Sequence, residues 1–251
     1  KSGGGAFGNV VAKSITQLLG AVSGVEAVFN PRAAEGGSDG EPLQRFLERA
    51  PASVRHRGRA SSADDYAAMV REASSAVAVV KVLPTRNAAG RALPGYLTIL
   101  IVPSSQEPQP YPSRGLRDEV LRYLEARAPA GLIASGRIFV TGPTYCPVDV
   151  AATLVSRRDD EAGSVEARVR AALERFLHPL EGGPSGAGWE FGRGVHRSDV
   201  ARVIERVEGL DHAESIQLIT GDQVRGESVD VPPDQIVAAG KLRLRLKGAR
   251  S

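Results

Sequence analysis

A glycine-rich turn after a proline-broken helix end places the strongest constraint on how this chain folds. Within residues 176–218, a helical pattern stops at His178 and Pro179, because proline cannot continue the helical hydrogen bonds. The turn that follows contains four glycines: Gly182, Gly183, Gly186 and Gly188. It leads into Trp189, the only tryptophan, and Phe191. A backbone this flexible that carries two large rings needs a surface to hold it, either in its own domain or on a neighbour.

The residues alone leave both interpretations of this aromatic loop open. Trp189 and Arg193 belong to the residue types that most often dominate protein interfaces, which favours docking on a partner. Equally, Trp189 and Phe191 can fill a gap in a local core beneath the loop. His178 lies at a helix end, where the helix dipole favours positive charge, so it is predicted to cap that helix. The four glycines are a candidate hinge.

Composition limits the classes of protein to which the chain can belong. With 251 residues, 42% hydrophobic and 24% charged, it is predicted to form one large or two to three small globular domains. No segment has the roughly 20 apolar residues of a membrane helix. The single cysteine, Cys146, excludes an internal disulfide, so we expect a reducing, cytoplasmic setting and a small buried thiol. A net charge of +3 is too small to argue for nucleic acid.

Catalytic and cofactor motifs are incomplete. Residues 3–8 satisfy G-x-G-x-x-G, but no strand precedes them, and Asn9 and Val10 stand where a phosphate-binding loop needs Lys and Ser or Thr. The four histidines form no zinc-binding pair, and no G-x-S-x-G motif occurs. We therefore predict a flexible joint at residues 3–8 and no catalytic, metal or cofactor-binding residues.

Hydrophobic periodicity predicts a mixed α/β, or α+β, fold of several small helix-plus-sheet modules in series, in an elongated multi-domain chain. Residues 61–80 and 196–216 share a Ser/Asp cap, a helical apolar stripe, a short turn and a strand. A further helical stripe is predicted at residues 43–50, and a hairpin is predicted between residues 138–140 and 148–154. Four modules are predicted: 1–37, 38–112, 113–187 and 188–251.

The C-terminal segment 241–247 alternates leucine with lysine and arginine, which predicts a strand with one basic face. Aromatic residues for stacking on bases are absent from it. A solvated or partner-facing edge strand is the better interpretation, because charged side chains on an edge discourage misassembly.

Three motifs, in one order along the chain, resemble the baseplate J-like proteins. They are residues 36–74, which include ERAPAS and a helix with Asp-Tyr; GPTYCPVDV at 142–150; and FLHPLEGGPSGAGWEFGRGVHRSDV at 176–200. The resemblance runs from about residue 8 to 220. Proteins of that family are wedge components of contractile phage tails and related injection systems. Its members carry a further N-terminal region, so residues 1–37 are predicted to end an upstream domain.

The resemblance implies a structural subunit that is not an enzyme. It implies a sixfold ring around the central hub or spike, which couples baseplate opening to sheath contraction. The implied partners are other wedge proteins, second copies of the chain, a sheath-initiating protein and the hub. Assembly is expected in the cytoplasm, without nucleic acid or direct membrane insertion. A nucleotide- or glycan-processing enzyme and a nucleic-acid-binding module are the rival hypotheses.

The resemblance also favours one interpretation of the aromatic loop. Trp189 and Phe191 are predicted first to pin two modules together and second to contact a partner. Arg193, His178 and Pro179 are predicted to lie at the same interface.

Overall fold

The protein is described from a computed structural model. The residues that it describes are 5–20, 22–34, 37, 39–40, 43, 47, 59–87, 89–133, 135–157, 162–221 and 223–247. The chain forms two compact units: unit 1, Lys1–Ser105 with Pro110–Gly142, and unit 2, Gln106–Gln109 with Pro143–Ser251. Helices and mixed sheets follow one another along the chain, which confirms the predicted α+β class with modules in series.

Among its described residues, unit 1 contains one three-stranded sheet, a short 3-10 turn at Gly5–Gly8 and three helices with defined bounds. Its elements are α1 (Ala63–Ala73), β1 (Val77–Arg86), β2 (Ala92–Pro103), α2 (Arg114–Glu125), α3 (Ala130–Ile133) and β3 (Ile138–Thr141). The strand order is β1-β2-β3, with β1 antiparallel and β3 parallel to β2. Because parallel neighbours need a crossover, α2 carries the chain back from β2 to β3.

Both long helices of unit 1 begin where the sequence predicts. The Ser62 hydroxyl accepts a hydrogen bond from the Asp65 amide at 3.2 Å, and the Asp65 carboxylate accepts from the Ser62 amide at 2.9 Å. This reciprocal pair satisfies two amides that a helix start leaves unpaired. The Ser113 hydroxyl likewise accepts from the Leu116 amide at 3.2 Å.

The core of unit 1 lies between β2 and the two long helices. It contains the apolar faces predicted for those helices, together with inward residues of the strands: Tyr66, Met69, Val70, Val77, Leu97, Ile99, Ile101, Leu116, Val120, Leu124 and Ile138. Leu100 and Val102, on the other face of β2, are buried as well. Burial of both faces explains why this strand is an uninterrupted apolar run.

In the described part of unit 2 there are a four-stranded sheet, a small two-stranded sheet and two helices. Its elements are β4 (Thr144–Ser156), α4 (Ala162–Phe176), β5 (Val195–His196), α5 (Arg197–Glu205), β6 (Leu210–Thr220), β7 (Gln223–Arg225), β8 (Ser228–Val229) and β9 (Gln235–Lys247). The strand order is β7-β6-β4-β9, with β6 antiparallel and β9 parallel to β4. Strands β5 and β8 pair antiparallel.

The two units share one arrangement of strands. In each, a central strand has a parallel neighbour on one side and an antiparallel neighbour on the other. The antiparallel neighbour directly follows a helix, as α1-β1 in unit 1 and α5-β6 in unit 2. This confirms the predicted repetition of a helix and strand at 61–80 and 196–216, but not the shared cap, because α5 follows His196, which forms no side-chain capping hydrogen bond. The chain order differs, because α1-β1 precedes its central strand whereas α5-β6 follows it.

The predicted hairpin is wrong. Strand β3 pairs with β2 and belongs to unit 1, whereas β4 pairs with β6 and β9 in unit 2. Alternating hydrophobicity predicts a strand but carries no information on its partner. The boundary between the units falls inside the predicted module 113–187, so part of that module lies in each unit. The division into four modules stays a prediction. The predicted helix at 43–50 lies mostly outside the described residues.

A bulge interrupts the pairing of β9 with β4. Val148 pairs with Ala239 and Val150 with Leu242, so Gly240 and Lys241 together face Asp149. The Asp149 carboxylate accepts a hydrogen bond from the Lys241 amide at 2.8 Å, which satisfies a donor that the bulge removes from the ladder. A Cβ atom on Gly240 would overlap that carboxylate and lie 2.9 Å from the Asp149 amide nitrogen.

Replacing Gly240 with alanine is expected to lower the free energy of unfolding by about 1–3 kcal/mol, because backbone atoms must move to admit the methyl group. Urea denaturation measures the change. Gly163→Ala is the matched control: no atom lies within 4 Å of its added Cβ, and this position in α4 is expected to gain up to about 1 kcal/mol. Equal effects of the two substitutions would contradict the steric role of Gly240.

Candidate functional site

The aromatic loop, residues 177–194, connects α4 to β5 within unit 2. Helix α4 precedes the loop and has the predicted apolar stripe, which is buried: Val165, Val169, Leu173 and Phe176. Leu177, the first residue of the loop, is also buried. The loop therefore starts inside the apolar core, where unpaired backbone groups are costly.

Trp189 folds inward onto the helix that precedes it. Its side chain is 2% exposed, and its indole N–H donates a hydrogen bond to the Phe176 carbonyl at 2.9 Å. The two rings meet edge to face, with centroids 5.4 Å apart and planes at 75°, a geometry that aromatic pairs prefer. The Trp189 amide donates to the Pro179 carbonyl at 2.8 Å. Ring and backbone thus tie the loop to the end of α4.

The carbonyl of Phe176 is the centre of this arrangement. It accepts a second hydrogen bond from the Gly183 amide at 2.8 Å, in addition to the indole of Trp189. The His178 carbonyl accepts from the Gly182 amide at 2.9 Å. The last carbonyls of a helix have no partner within the helix, so these donors satisfy groups that would otherwise be buried and unpaired.

Three of the four predicted loop glycines are required by close backbone contacts. A Cβ atom on Gly182 would overlap the Phe176 carbonyl oxygen. Gly183, with φ of +79°, would place its Cβ 2.7 Å from the Gly188 carbonyl oxygen, and Gly188, with φ of +92°, would approach the Leu180 carbonyl to 2.9 Å. Gly186 has φ of +71° but open space around it. Their predicted role as a hinge stays a prediction.

His178 is half-buried and uses both ring nitrogens. Nε2 lies 3.0 Å from the Glu107 carbonyl oxygen, and Nδ1 lies 3.3 Å from the amides of Leu180 and Glu181. This pattern fits the tautomer with the proton on Nε2, since a carbonyl needs a donor and amides need an acceptor. The ring therefore holds the loop and residues 106–109 of the same unit, and its predicted capping of the helix is wrong.

The other predicted site residues differ in how exposed they are. Pro179 is buried, Phe191 is half-buried and Arg193 is exposed. The loop is also fixed at its far end, where the Gly192 amide donates to the Gln235 carbonyl, at the start of β9, at 3.0 Å. Gly192 and Gln235 were not among the predicted site residues. The roles of Trp189 and Phe191 as an inter-module pin or a partner contact stay predictions.

Within the described ranges, few side chains are candidates for metal binding or catalysis. No group of three His, Cys, Asp or Glu side chains there is placed to hold a metal ion. Cys146 is buried, as predicted, and burial raises the pKa of its thiol, which disfavours the reactive thiolate. None of the helices in the described part is long and apolar enough to span a membrane.

Comparisons with known proteins point to one kind of assembly. The family model for "Baseplate protein PVC11-like" matches residues 5–152, more than half of the chain. Two of the three motifs, 36–74 and 142–150, lie within that match, and the aromatic loop lies outside it. Curated protein sequences give no match.

A solved structure has a similar fold over both units. It is a chain in the cryo-EM structure of the anti-feeding prophage baseplate, sixfold symmetrised, with a TM-score of 0.58 and 17% sequence identity. The similarity covers 91% of this chain but 47% of that one, so the chain spans about half the length of its structural relative.

Trp189→Ala is expected to lower the free energy of unfolding by about 3–5 kcal/mol, because it leaves a large cavity. Trp189→Phe keeps much of the ring contact but removes the indole donor, so a smaller loss of about 1–2 kcal/mol is expected. Chemical denaturation followed by circular dichroism measures both. Phe7→Ala, at a side chain that is 93% exposed, is the control and should change little.

Gly183→Ala and Gly186→Ala separate backbone strain from steric contact. Both substitutions place alanine at positive φ, at a cost of about 1–2 kcal/mol. Only the first also forces a methyl group against the Gly188 carbonyl, so its melting temperature should fall further. Equal melting temperatures would show that the close approach of Gly183 to the Gly188 carbonyl does not contribute to stability.

Proposed function

The chain belongs to the family of PVC11-like baseplate proteins, and from this membership we propose that it is a structural subunit of the baseplate wedge in a contractile injection system. In this role it forms part of the ring around the central hub or spike and couples baseplate opening to sheath contraction. Its neighbours are other wedge proteins, second copies of itself, a sheath-initiating protein and the hub. It acts through interfaces and not through catalysis.

The family match over residues 5–152 carries the proposal. The fold shared with a chain of the anti-feeding prophage baseplate supports it, because a sixfold particle is the setting in which a wedge subunit would act. The finer assignment, to a wedge position with contact to sheath and hub, rests on the three sequence motifs and their resemblance to baseplate J-like proteins.

An exposed apolar surface near the start of the chain supports assembly with partners. Large hydrophobic side chains project into solvent along this segment: Phe7, Val11, Ile15, Leu18, Leu19, Val22, Val25 and Phe29. The Asn30 side chain holds the segment, donating to the Val11 carbonyl at 2.9 Å and accepting from the Ile15 amide at 2.9 Å. Exposed apolar side chains in this number along one segment favour contacts with other proteins, so we assign this segment to subunit contacts.

The aromatic loop contributes rigidity to this role. Trp189 joins the end of α4 to the loop, and Gly192 joins the loop to the start of β9. A subunit that transmits baseplate opening needs elements that move as one body. We assign to Trp189 the function of keeping α4, the loop and β9 in a fixed relation within unit 2.

Electron microscopy of purified particles tests the assignment. Particles from cells that produce a tagged chain should show the tag in the baseplate ring, and deletion should abolish sheathed particles. A chain that is absent from purified particles, or a deletion that leaves their number and length unchanged, would contradict the proposal. A nucleotide-dependent rise in melting temperature would instead favour the enzyme hypothesis.

Trp189→Ala in the particle distinguishes the two interpretations of the loop. If the ring acts as an internal pin, assembly should decline together with the melting temperature of the isolated chain, and Trp189→Phe should restore most of both. Normal melting with loss of assembled particles would show instead that the loop contacts a partner. Particle counts by negative-stain microscopy and thermal melts of the purified chain give the two readouts.

A further inference from the structure

Among the residues that the structure describes, strand β9 has a neighbouring strand on one side only. In the sheet order β7-β6-β4-β9 it lies at the end, paired with β4 along its length. Beyond the bulge at Gly240 its side chains alternate regularly. Leu242, Leu244 and Leu246 are half-buried, whereas the four basic residues are exposed: Lys241, Arg243, Arg245 and Lys247. An edge strand offers unpaired backbone donors and acceptors to another chain.

Within the described residues, few acidic side chains pair with this row of exposed basic side chains. Lys247 forms an ion pair with Glu214, but Lys241, Arg243 and Arg245 form none there. Side chains two residues apart on one strand are about 7 Å from each other, so their like charges repel. On the neighbouring strand, Ala151 and Thr153 lie beside the two arginines and bring no charge. The row therefore favours an acidic partner.

The available part of the edge begins after Leu242. The Leu242 carbonyl already accepts a hydrogen bond from the Arg170 guanidinium at 3.1 Å, and that guanidinium is paired with Glu166 at 2.9 Å. Residues 243–247 extend past this contact with β4 as their one strand neighbour in the described sheet. A short segment of about five residues is enough for a docked strand.

We propose that residues 243–247 form a docking edge for an extended acidic segment of another protein, which adds to the sheet as a further strand. Carboxylates at alternate positions of that segment face Arg243 and Arg245, while its backbone pairs with β9. A second copy of β9 does not fit, because it would set arginines against arginines. Nucleic acid is the weaker occupant, because the strand lacks aromatic side chains on which bases stack. The proposal does not depend on the baseplate role.

Peptide binding to the purified full chain tests the docking edge. The probe is a fluorescein-labelled peptide of alternating Thr and Glu, about eight residues long; alternating Thr and Gln peptide and an oligo-dT of equal charge are compared with it. Fluorescence anisotropy should show that the Glu peptide binds most tightly. The double variant Arg243→Glu, Arg245→Glu should weaken its binding at least tenfold. Hydrogen exchange should slow across 243–247 when the Glu peptide is bound.

A matched control comes from the same unit. Arg225, on the opposite edge strand β7, and Arg206, after α5, are both exposed, so Arg225→Glu with Arg206→Glu makes the same charge change elsewhere. This variant should bind the Glu peptide within about twofold of the unmodified chain, because salt screens charges that are distant from the bound peptide. Arg243→Gln with Arg245→Gln repeats the test without charge reversal should the first variant fail to fold.

Several outcomes would overturn the proposal. They are absence of Glu-peptide binding, equal binding of the Gln peptide, an equal loss in the control variant, or unchanged exchange at 243–247. Tighter binding of oligo-dT, abolished by the same arginine substitutions, would assign the basic row to nucleic acid. None of these results bears on whether the chain is found in a baseplate, so the two proposals fail separately.

Discussion

The carbonyl oxygen of Phe176 is the point on which the organisation of unit 2 depends. It lies at the end of a buried helix and accepts hydrogen bonds from the Gly183 amide at 2.8 Å and the Trp189 indole at 2.9 Å. A buried helix end without donors would be unstable, and only glycines allow the loop backbone to approach closely enough to supply them. The Gly192 amide of the same loop donates to the Gln235 carbonyl, which ties the loop to the start of β9, the strand that pairs with β4.

Both units solve the same packing problem with the same set of strands. A central strand is buried, its parallel neighbour is reached by a crossover, and its antiparallel neighbour follows a helix that covers the sheet. The order along the chain is free to differ because packing depends on which elements are adjacent in space.

The family match and the exposed surfaces of the chain are the observations on which the proposed assembly role depends. Membership in the PVC11-like baseplate proteins rests on unit 1 and the first strand of unit 2. Two surfaces differ in chemistry: the exposed hydrophobic side chains between Phe7 and Phe29, and the basic edge of β9. An apolar surface provides area for stable contacts, and a charged edge selects a partner of opposite charge. The proposed wedge role draws on the first of these, and the docking edge on the second.

Helix starts at Ser62 and Ser113, the buried stripe of α4 and the alternation of 241–247 were all predictable, because capping and periodicity are local properties of the sequence. Strand partners were not predictable. The alternating residues of β3 and β4 suggest a hairpin equally well, and only long-range packing sends them into different sheets. The inward turn of Trp189 was also undecided, because its indole donor is paired with a carbonyl thirteen residues away. Sequence alone determined which residues are apolar and where the helices after Ser62 and Ser113 begin; tertiary structure decided what each residue contacts, since contact energies depend on neighbours that are distant along the chain.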